Sequence, residues 1–183
     1  IRLNQVELNK NYALVITTNS GLWRYLIGDT IRFTSLNPYR IKVTGRTKHH
    51  INVFGEELMV ENTDTALTKT CKEFNCEIMD YTVAPIFMSD KQKGAHEWII
   101  EFKTKPDNIE NFRKVLDENL QSINSDYEAK RYNNMTLNPL VLNVARENLF
   151  YDWLKQQDKL GGQHKVPRLS NERNYLESLL TLQ

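Results

Sequence analysis

Two short stretches and one late lysine carry the side chains that could bind a nucleotide or another anion. In the first stretch, Gly28 and Asp29 follow an aromatic-rich run. Glycine permits a tight backbone, and a carboxylate can accept two hydrogen bonds from a vicinal diol such as that of ribose. A Gly-Asp pair beside a strand is also typical of an ordinary turn. The pair therefore indicates a nucleotide site only in combination with other residues.

The second stretch is GRTKHH, residues 45–50. Arg46 and Lys48 could hold phosphate or ribose oxygens, and Gly45 could supply the backbone freedom of a hinge. The alternative interpretation is a basic turn between strands. His49 and His50 are adjacent, so in a strand their side chains point to opposite faces and cannot readily bind one metal ion. We therefore predict no metal site.

The third candidate is Lys165, in the loop GGQHKVPR over residues 161–168. This loop lacks the spacing of a phosphate-binding loop and no strand precedes it. A lysine beside a flexible glycine pair could still deliver one positive charge to a phosphate or carboxylate bound elsewhere. The alternative is a solvated surface loop.

The apolar periodicity predicts an α+β protein. An all-β segment with a hairpin precedes Gly45, and residues from about 50 onward follow the order βαββαβ with extra carboxy-terminal helices. This order is typical of a ferredoxin-like layer. Strands are predicted over 12–18, 22–27, 30–35, 39–45, 50–54, 77–89, 95–104 and 140–145, and helices from about 58, after 107, over 147–160 and over 171–182.

The composition excludes several classes of protein. The 183 residues carry 24 Lys and Arg against 23 Asp and Glu, so no strong field favours nucleic acid as a partner. No apolar run is long enough to span a membrane, and no secretion signal is visible, so a cytoplasmic protein is expected. The spacing of Cys71 and Cys76 predicts reduced, buried thiols. The aromatic residues at strand or helix spacing are interpreted as core: Trp98, Phe102, Phe112, Phe150 and Trp153.

Taken in order, the motifs resemble the carboxy-terminal part of adenylate-forming enzymes. The sequence is most similar to the auxin-responsive acyl acid-amido synthetase family, and the likeness covers nearly the whole chain. Ile27 stands where the wider superfamily commonly has Thr, and Thr47-Lys48 where it often has Asp, which favours the amido synthetase branch. The segments that carry the resemblance are GLWRYLIGDTIRF, VTGRTKHHINVFGEEL, AHEWIIEF, NSDYEAKRY and GGQHKVPRL.

The resemblance implies an ATP- and Mg²⁺-dependent ligase that adenylates a carboxylic acid and transfers the acyl group to an amino-acid amine. It implies that Asp29, with Gly28, binds the ribose hydroxyls and that Arg46 approaches ribose or phosphate. Thr47 and Lys48 would form a hinge, and Lys165 would be the mobile catalytic cation of adenylation.

The resemblance also implies a domain organisation. Residues 1–46 would be the tail of a large adenylating domain, 47–48 the hinge, and 49–183 a small α+β domain that swings over it. The fragment alone would be inactive because the phosphate-binding segment and acyl pocket lie upstream. Two alternatives stay open: a non-catalytic ferredoxin-like binding or regulatory module, for which the fold alone is ample precedent, and a hydrolase or transferase unrelated to ATP, for which no catalytic triad is visible.

Overall fold

A computed structural model of the protein describes residues 1–47, 50–89, 92–134, 136–161 and 165–183. The strands are β1 (Asn11–Ile16), β2 (Tyr25–Leu36), β3 (Tyr39–Arg46), β4 (His50–Ile51), β5 (Leu58–Met59), β6 (Glu77–Ile86), β7 (Ala95–Thr104) and β8 (Val141–Val144). The helices are α1 (Val60–Glu73), α2 (Ile109–Ile123), α3 (Ser125–Arg131), α4 (Leu149–Gln156) and α5 (Asn174–Leu182). The predicted α+β class is confirmed.

The first sheet is antiparallel with the strand order β1-β2-β3. The break predicted at Gly28 and Asp29 does not occur, because β2 continues through both residues. Gly28 has a φ of +89°, which only glycine adopts at little cost, and the register with β3 shifts just after Thr30. The Gly-Asp pair, which is typical of a turn, therefore marks a local irregularity within one long strand.

A second sheet, β6-β7-β8, forms the centre of the α/β body, which we define as residues 50–183. Alternate residues of β7 point to opposite faces, as the period of a strand requires. Trp98 and Ile100 lie in a core with α1 and α2, whereas Ile99 lies in a core with α4 and α5. The sheet is thus covered by helices on both faces.

The predicted first strand of the βαββαβ order, residues 50–54, is much shorter than expected. Only His50 and Ile51 are extended, and they pair with β5 in a separate two-stranded sheet. β8 pairs directly with β7, in parallel. The mixed helix-and-strand architecture is as predicted, and the ferredoxin-like strand order stays a prediction.

Two further expectations concern burial and membranes. All five aromatic side chains assigned to the core are buried: Trp98, Phe102, Phe112, Phe150 and Trp153. In the described part of the chain, none of the helices combines the length and apolar character needed to cross a bilayer.

Candidate functional site

Asp29 and Arg46 lie side by side across the first sheet. They are register partners in the β2–β3 ladder, and Nε of Arg46 is 3.3 Å from Oδ1 of Asp29. The Arg46 side chain is 67% exposed and that of Asp29 is 29% exposed. A ligand with hydroxyl and anionic groups can therefore reach both side chains from solvent, the carboxylate accepting and the guanidinium donating hydrogen bonds.

Thr47 is attached to the same sheet. Its backbone nitrogen donates to the carbonyl oxygen of Gly28 at 2.8 Å, and its hydroxyl donates to that oxygen at 3.2 Å. Gly28, Asp29, Arg46 and Thr47 thus form one group at the end of the β2–β3 ladder. Lys48, the other predicted hinge residue, lies outside the described residues, as does His49.

The chain is attached to the α/β body again from His50 onward. Asn171 donates to the carbonyl oxygen of His50 and accepts a hydrogen bond from the backbone nitrogen of Asn52. Asn124 donates to the carbonyl oxygen of Glu56. Hydrogen bonds therefore attach the chain to the first sheet up to Thr47 and to the α/β body from His50.

A groove of about 240 Å³ opens where these two parts meet. Its walls come from both sides of the connection: Thr30, Arg46, Thr47, His50, Asn52, Glu57 and Met59. The predicted nucleotide-binding residue Arg46 is therefore at a junction, where a change in the relative position of the two parts would alter its surroundings.

Glu61 also joins the two parts. It is in the first turn of α1, and its carboxylate accepts hydrogen bonds from Nη2 of Arg32 at 2.7 Å and Nζ of Lys42 at 2.8 Å. Burial raises the pKa of the carboxyl group, but the hydrogen bonds and charges of Lys42 and Arg32 outweigh it, so the pKa of Glu61 is lowered. Glu61 is therefore held ionised between two cations of the first sheet.

Lys165 belongs to the α/β body and is exposed. Burial raises the pKa of the Asp80 carboxyl group on β6, and the positive charge of Lys165 is a smaller influence that opposes this rise. Among the described residues, no hydrogen bond or ion pair joins Lys165 to Asp29 or Arg46. Residues 162–164 lie outside the described ranges, and they include Gly162, the second glycine of the pair that precedes Lys165. The structure thus separates the candidate residues into a first-sheet group and Lys165.

Several residues near Lys165 were not predicted from the sequence. Asp80, Tyr81 and Asp64 surround the segment that follows Lys165, and Arg168 forms an ion pair with Asp64. No local pattern connects residues this far apart in the chain, so only their packing identifies them.

The cysteines and histidines build no metal site in the described ranges. No group of three or more His, Cys, Asp or Glu side chains there could hold a metal ion. Cys71 is half-buried and Cys76 is buried, both as free thiols. Burial, together with the neighbouring Cys76, raises the pKa of Cys71 to about 12, so its thiol stays protonated at neutral pH.

Family models and known sequences match the chain along most of its length. The GH3 family central domain matches residues 1–46, and the GH3 family C-terminal domain matches residues 61–174. Indole-3-acetic acid-amido synthetase GH3.3 of Arabidopsis thaliana is 26% identical over 92% of this chain and 30% of its own length. Jasmonoyl–L-amino acid synthetase GH3.5 of Oryza sativa subsp. japonica is 27% identical over 95% of this chain and 31% of its own.

Solved structures have the same fold. The GH3.15 acyl acid amido synthetase superposes with a TM-score of 0.75 at 23% identity, covering 99% of this chain and 33% of that one. Its complex with 2,4-DB superposes with a TM-score of 0.71. The chain spans about a third of the length of the relatives that it matches. Because one family model alone covers more than half of the chain, this protein belongs to the GH3 family, which confirms the resemblance in its motifs.

Proposed function

We propose that this chain is the carboxy-terminal part of an ATP-dependent acyl acid-amido synthetase. The observation that carries the proposal is the Asp29–Arg46 pair, which lies at the junction between the central-domain segment and the C-terminal domain. The names of the relatives, which are synthetases and ligases, favour this function over a non-catalytic module.

The proposed reaction has two steps. An oxygen of the carboxylic acid attacks the α-phosphorus of ATP, and the bond from that phosphorus to pyrophosphate breaks. The amine nitrogen of an amino acid then attacks the acyl carbon, the bond from this carbon to AMP breaks, and the nitrogen loses a proton. The first step develops negative charge on phosphate oxygens, where a positioned cation lowers the barrier.

In this proposal, Asp29 accepts hydrogen bonds from the ribose hydroxyls and Gly28 allows the backbone to lie close to them. Arg46 donates to ribose or phosphate oxygens, for which its exposed guanidinium has free donors beside Asp29. Lys165 supplies the cation of the adenylation step. ATP is a substrate here, and the Mg²⁺ of the proposed reaction would be bound largely by its phosphates. We assign none of the described residues as a ligand of that ion.

We further propose that the domains divide as 1–46 and 49–183, with Thr47 and Lys48 as the hinge. The hydrogen bonds of Thr47 to the first sheet and of His50 to the α/β body support a connection in which few residues absorb a rotation. Lys48→Pro should then trap one orientation and suppress one half-reaction, whereas Lys48→Ala should run both. Near wild-type rates for both halves in a folded Lys48→Pro enzyme would move the hinge elsewhere.

The proposed partner of this chain is its own amino-terminal adenylating domain, in a cytoplasmic protein with no nucleic-acid ligand. Large apolar side chains concentrate on the surface of the first sheet, which is typical of a covered surface. On the strands of this sheet, the large apolar residues with more than half of their surface exposed are Val15, Tyr25, Leu26, Ile41 and Val43. Trp23, between β1 and β2, is also exposed.

The decisive experiment compares the 183-residue chain with the full-length protein in an assay of acid-dependent pyrophosphate release from ATP. We expect turnover only from the full-length protein, since positioning of both substrates requires the missing domain. Robust acid-dependent turnover by the 183 residues alone would refute the proposal. Pyrophosphate release by the full-length protein that needs no carboxylic acid would contradict the proposed chemistry.

A further inference from the structure

The segment immediately after Lys165 is attached to the edge of β6. The backbone nitrogen of Val83 donates to the carbonyl oxygen of Arg168 at 2.9 Å, and the nitrogen of Ser170 donates to the oxygen of Val83 at 3.1 Å. The hydroxyl of Thr82 donates to the carbonyl oxygen of Pro167 at 2.7 Å. These three bonds attach the chain to the sheet two residues after Lys165.

Apolar side chains attach the same segment to both cores. Val166 is 3% exposed and packs in the core with α4 and α5, whereas Leu169 has no exposed surface and packs in the core with α1 and α2. Residues 166–170 therefore form a rigid base on one side of Lys165, although the lysine itself is exposed.

The Arg168 side chain is held in turn by two residues of the α/β body. Its Nη1 donates to both carboxylate oxygens of Asp64 on α1, at 2.7 and 2.6 Å. Its guanidinium carbon is 5.2 Å from the centre of the Tyr81 ring, a cation–π geometry. The buried Tyr81 hydroxyl donates to Asp64 at 2.6 Å, so the carboxylate is itself oriented.

We propose that Asp64 and Tyr81 are positioning residues which hold Arg168 and thereby fix where Lys165 presents its charge. This inference rests on the proposed role of Lys165 in adenylation. The Arg168 and Asp64 side chains are 44% and 42% exposed. Ion pairs this exposed add little to the stability of a protein, so the pair can be removed without unfolding the chain. Loss of the pair should therefore change the position of Lys165 more than the stability of the fold.

Asp80 supports this arrangement from the same side. It is on β6 and lines the same groove as Asp64 and Arg168. Burial raises the pKa of its carboxyl group, and the charges of Arg168 and Lys165 oppose this rise. Asp64, Asp80 and Arg168 thus lie together on the side of the α/β body where the segment after Lys165 is attached.

The test uses the full-length enzyme and the variants Asp64→Asn, Arg168→Gln and Lys165→Ala, each alone, and Lys165→Ala combined with Asp64→Asn. The matched control is Asp152→Asn, which breaks the Arg146–Asp152 pair of nearly equal exposure and 2.8 Å length. Single-turnover adenylation and aminolysis of a supplied acyl-adenylate are measured separately, with thermal melting to compare folding.

We expect Asp64→Asn and Arg168→Gln each to slow adenylation about tenfold, because small displacements of a catalytic group are costly, while aminolysis and melting stay unchanged. Lys165→Ala should slow adenylation by about 10²–10³. The double variant should be no slower than Lys165→Ala alone, since Asp64 acts on adenylation only through the position of that lysine. Asp152→Asn should have no effect.

Three other outcomes would contradict either the positioning role of Asp64 or the catalytic role of Lys165. If Lys165→Ala slows adenylation but Asp64→Asn and Arg168→Gln do not, the positioning role is wrong and the proposed function stands. If the effects of Asp64→Asn and Lys165→Ala multiply, Asp64 acts independently of Lys165 and the inference also fails. If Lys165→Ala leaves adenylation unchanged, both the role of Lys165 and its positioning are overturned.

Discussion

Oε1 of Glu56 lies 2.8 Å from Nε2 of His96, and neither side chain exposes any surface. The other carboxylate oxygen accepts a hydrogen bond from the backbone nitrogen of Phe54 at 2.7 Å. The His96 ring also stacks on Tyr127, with 5.3 Å between ring centres. This pair therefore joins the turn after β4 to the centre of the sheet, close to the connection between the two parts of the chain.

His96→Leu should destabilise the protein strongly. It removes the partner of a fully buried carboxylate, a change that typically costs about 3–5 kcal/mol. The double variant Glu56→Gln/His96→Leu should recover part of the loss, because no charge is then buried. Urea unfolding measures both, with Lys103→Gln in the exposed Lys103–Glu77 pair as a control that should leave the midpoint unchanged. A single variant as stable as wild type would contradict the assigned pairing.

Glu56 should also contribute to the loss of stability in acid. Burial raises the pKa of its carboxyl group, but the hydrogen bond and charge of His96 and two backbone N–H groups outweigh it, so the pKa of Glu56 is lowered from its ordinary value of 4.5. A lowered pKa stabilises the folded state above pH 4.5, and this contribution disappears as the pH falls below that value. The free energy of unfolding of Glu56→Gln should therefore depend less on pH below 4.5 than that of the wild type. If the free energies of unfolding of the two proteins fell equally with pH below 4.5, this role of Glu56 would be ruled out.

Asp29→Asn in the full-length enzyme should raise the KM for ATP about 10- to 100-fold, because hydrogen bonds to a charged group are worth about 1.5–3 kcal/mol. The KM for the carboxylic acid should change little. Glu7→Gln, which removes an exposed carboxylate paired with Lys10 before the first sheet, serves as the control. An effect of Asp29→Asn confined to the acid would assign Asp29 to another substrate.

Glu61→Gln should loosen the contact between the first sheet and α1. The variant loses the charge that pairs with Arg32 and Lys42, so trypsin should cleave after Arg46 or Lys48 several-fold faster than in the wild type. High salt should have the same effect in the wild type, because it screens these ion pairs. Glu128→Gln, at an exposed position of α3, is the control. Equal cleavage rates for Glu61→Gln and the wild type would show that Glu61 does not hold the two parts together.

Cys71 should react slowly with alkylating reagents in the folded protein. With a pKa of about 12, its thiolate fraction at pH 8 is about a thousandth of that of an ordinary thiol with a pKa of 9.0. Iodoacetamide labelling followed by mass spectrometry should find Cys71 essentially unmodified until urea is added. Rapid labelling in buffer would show that the Cys71 thiol is accessible and that its pKa is not raised.

Local pattern predicted most of the elements, and it placed Asp29 and Arg46 on either side of one hairpin. The alternation of residues 30–35 and 39–45 predicts a hairpin, and a hairpin brings positions before and after it into register, as it does for Asp29 and Arg46. The same local patterns predicted the strands and helices from residue 77 onward, because each has its own apolar period. The family resemblance likewise came from short motifs that the sequence carries by itself.

Tertiary packing decided which distant residues meet. Residues 50–54 have a strand-like composition, yet most of them are not extended, because the carboxylate of Glu56 and Asn124 hold the turn that follows β4. Asp64 and Arg168 are 104 positions apart and meet only because α1 and the segment after Lys165 pack beside β6. Contacts of this kind depend on which faces the helices bury and in what order, and no periodicity within one element contains that information.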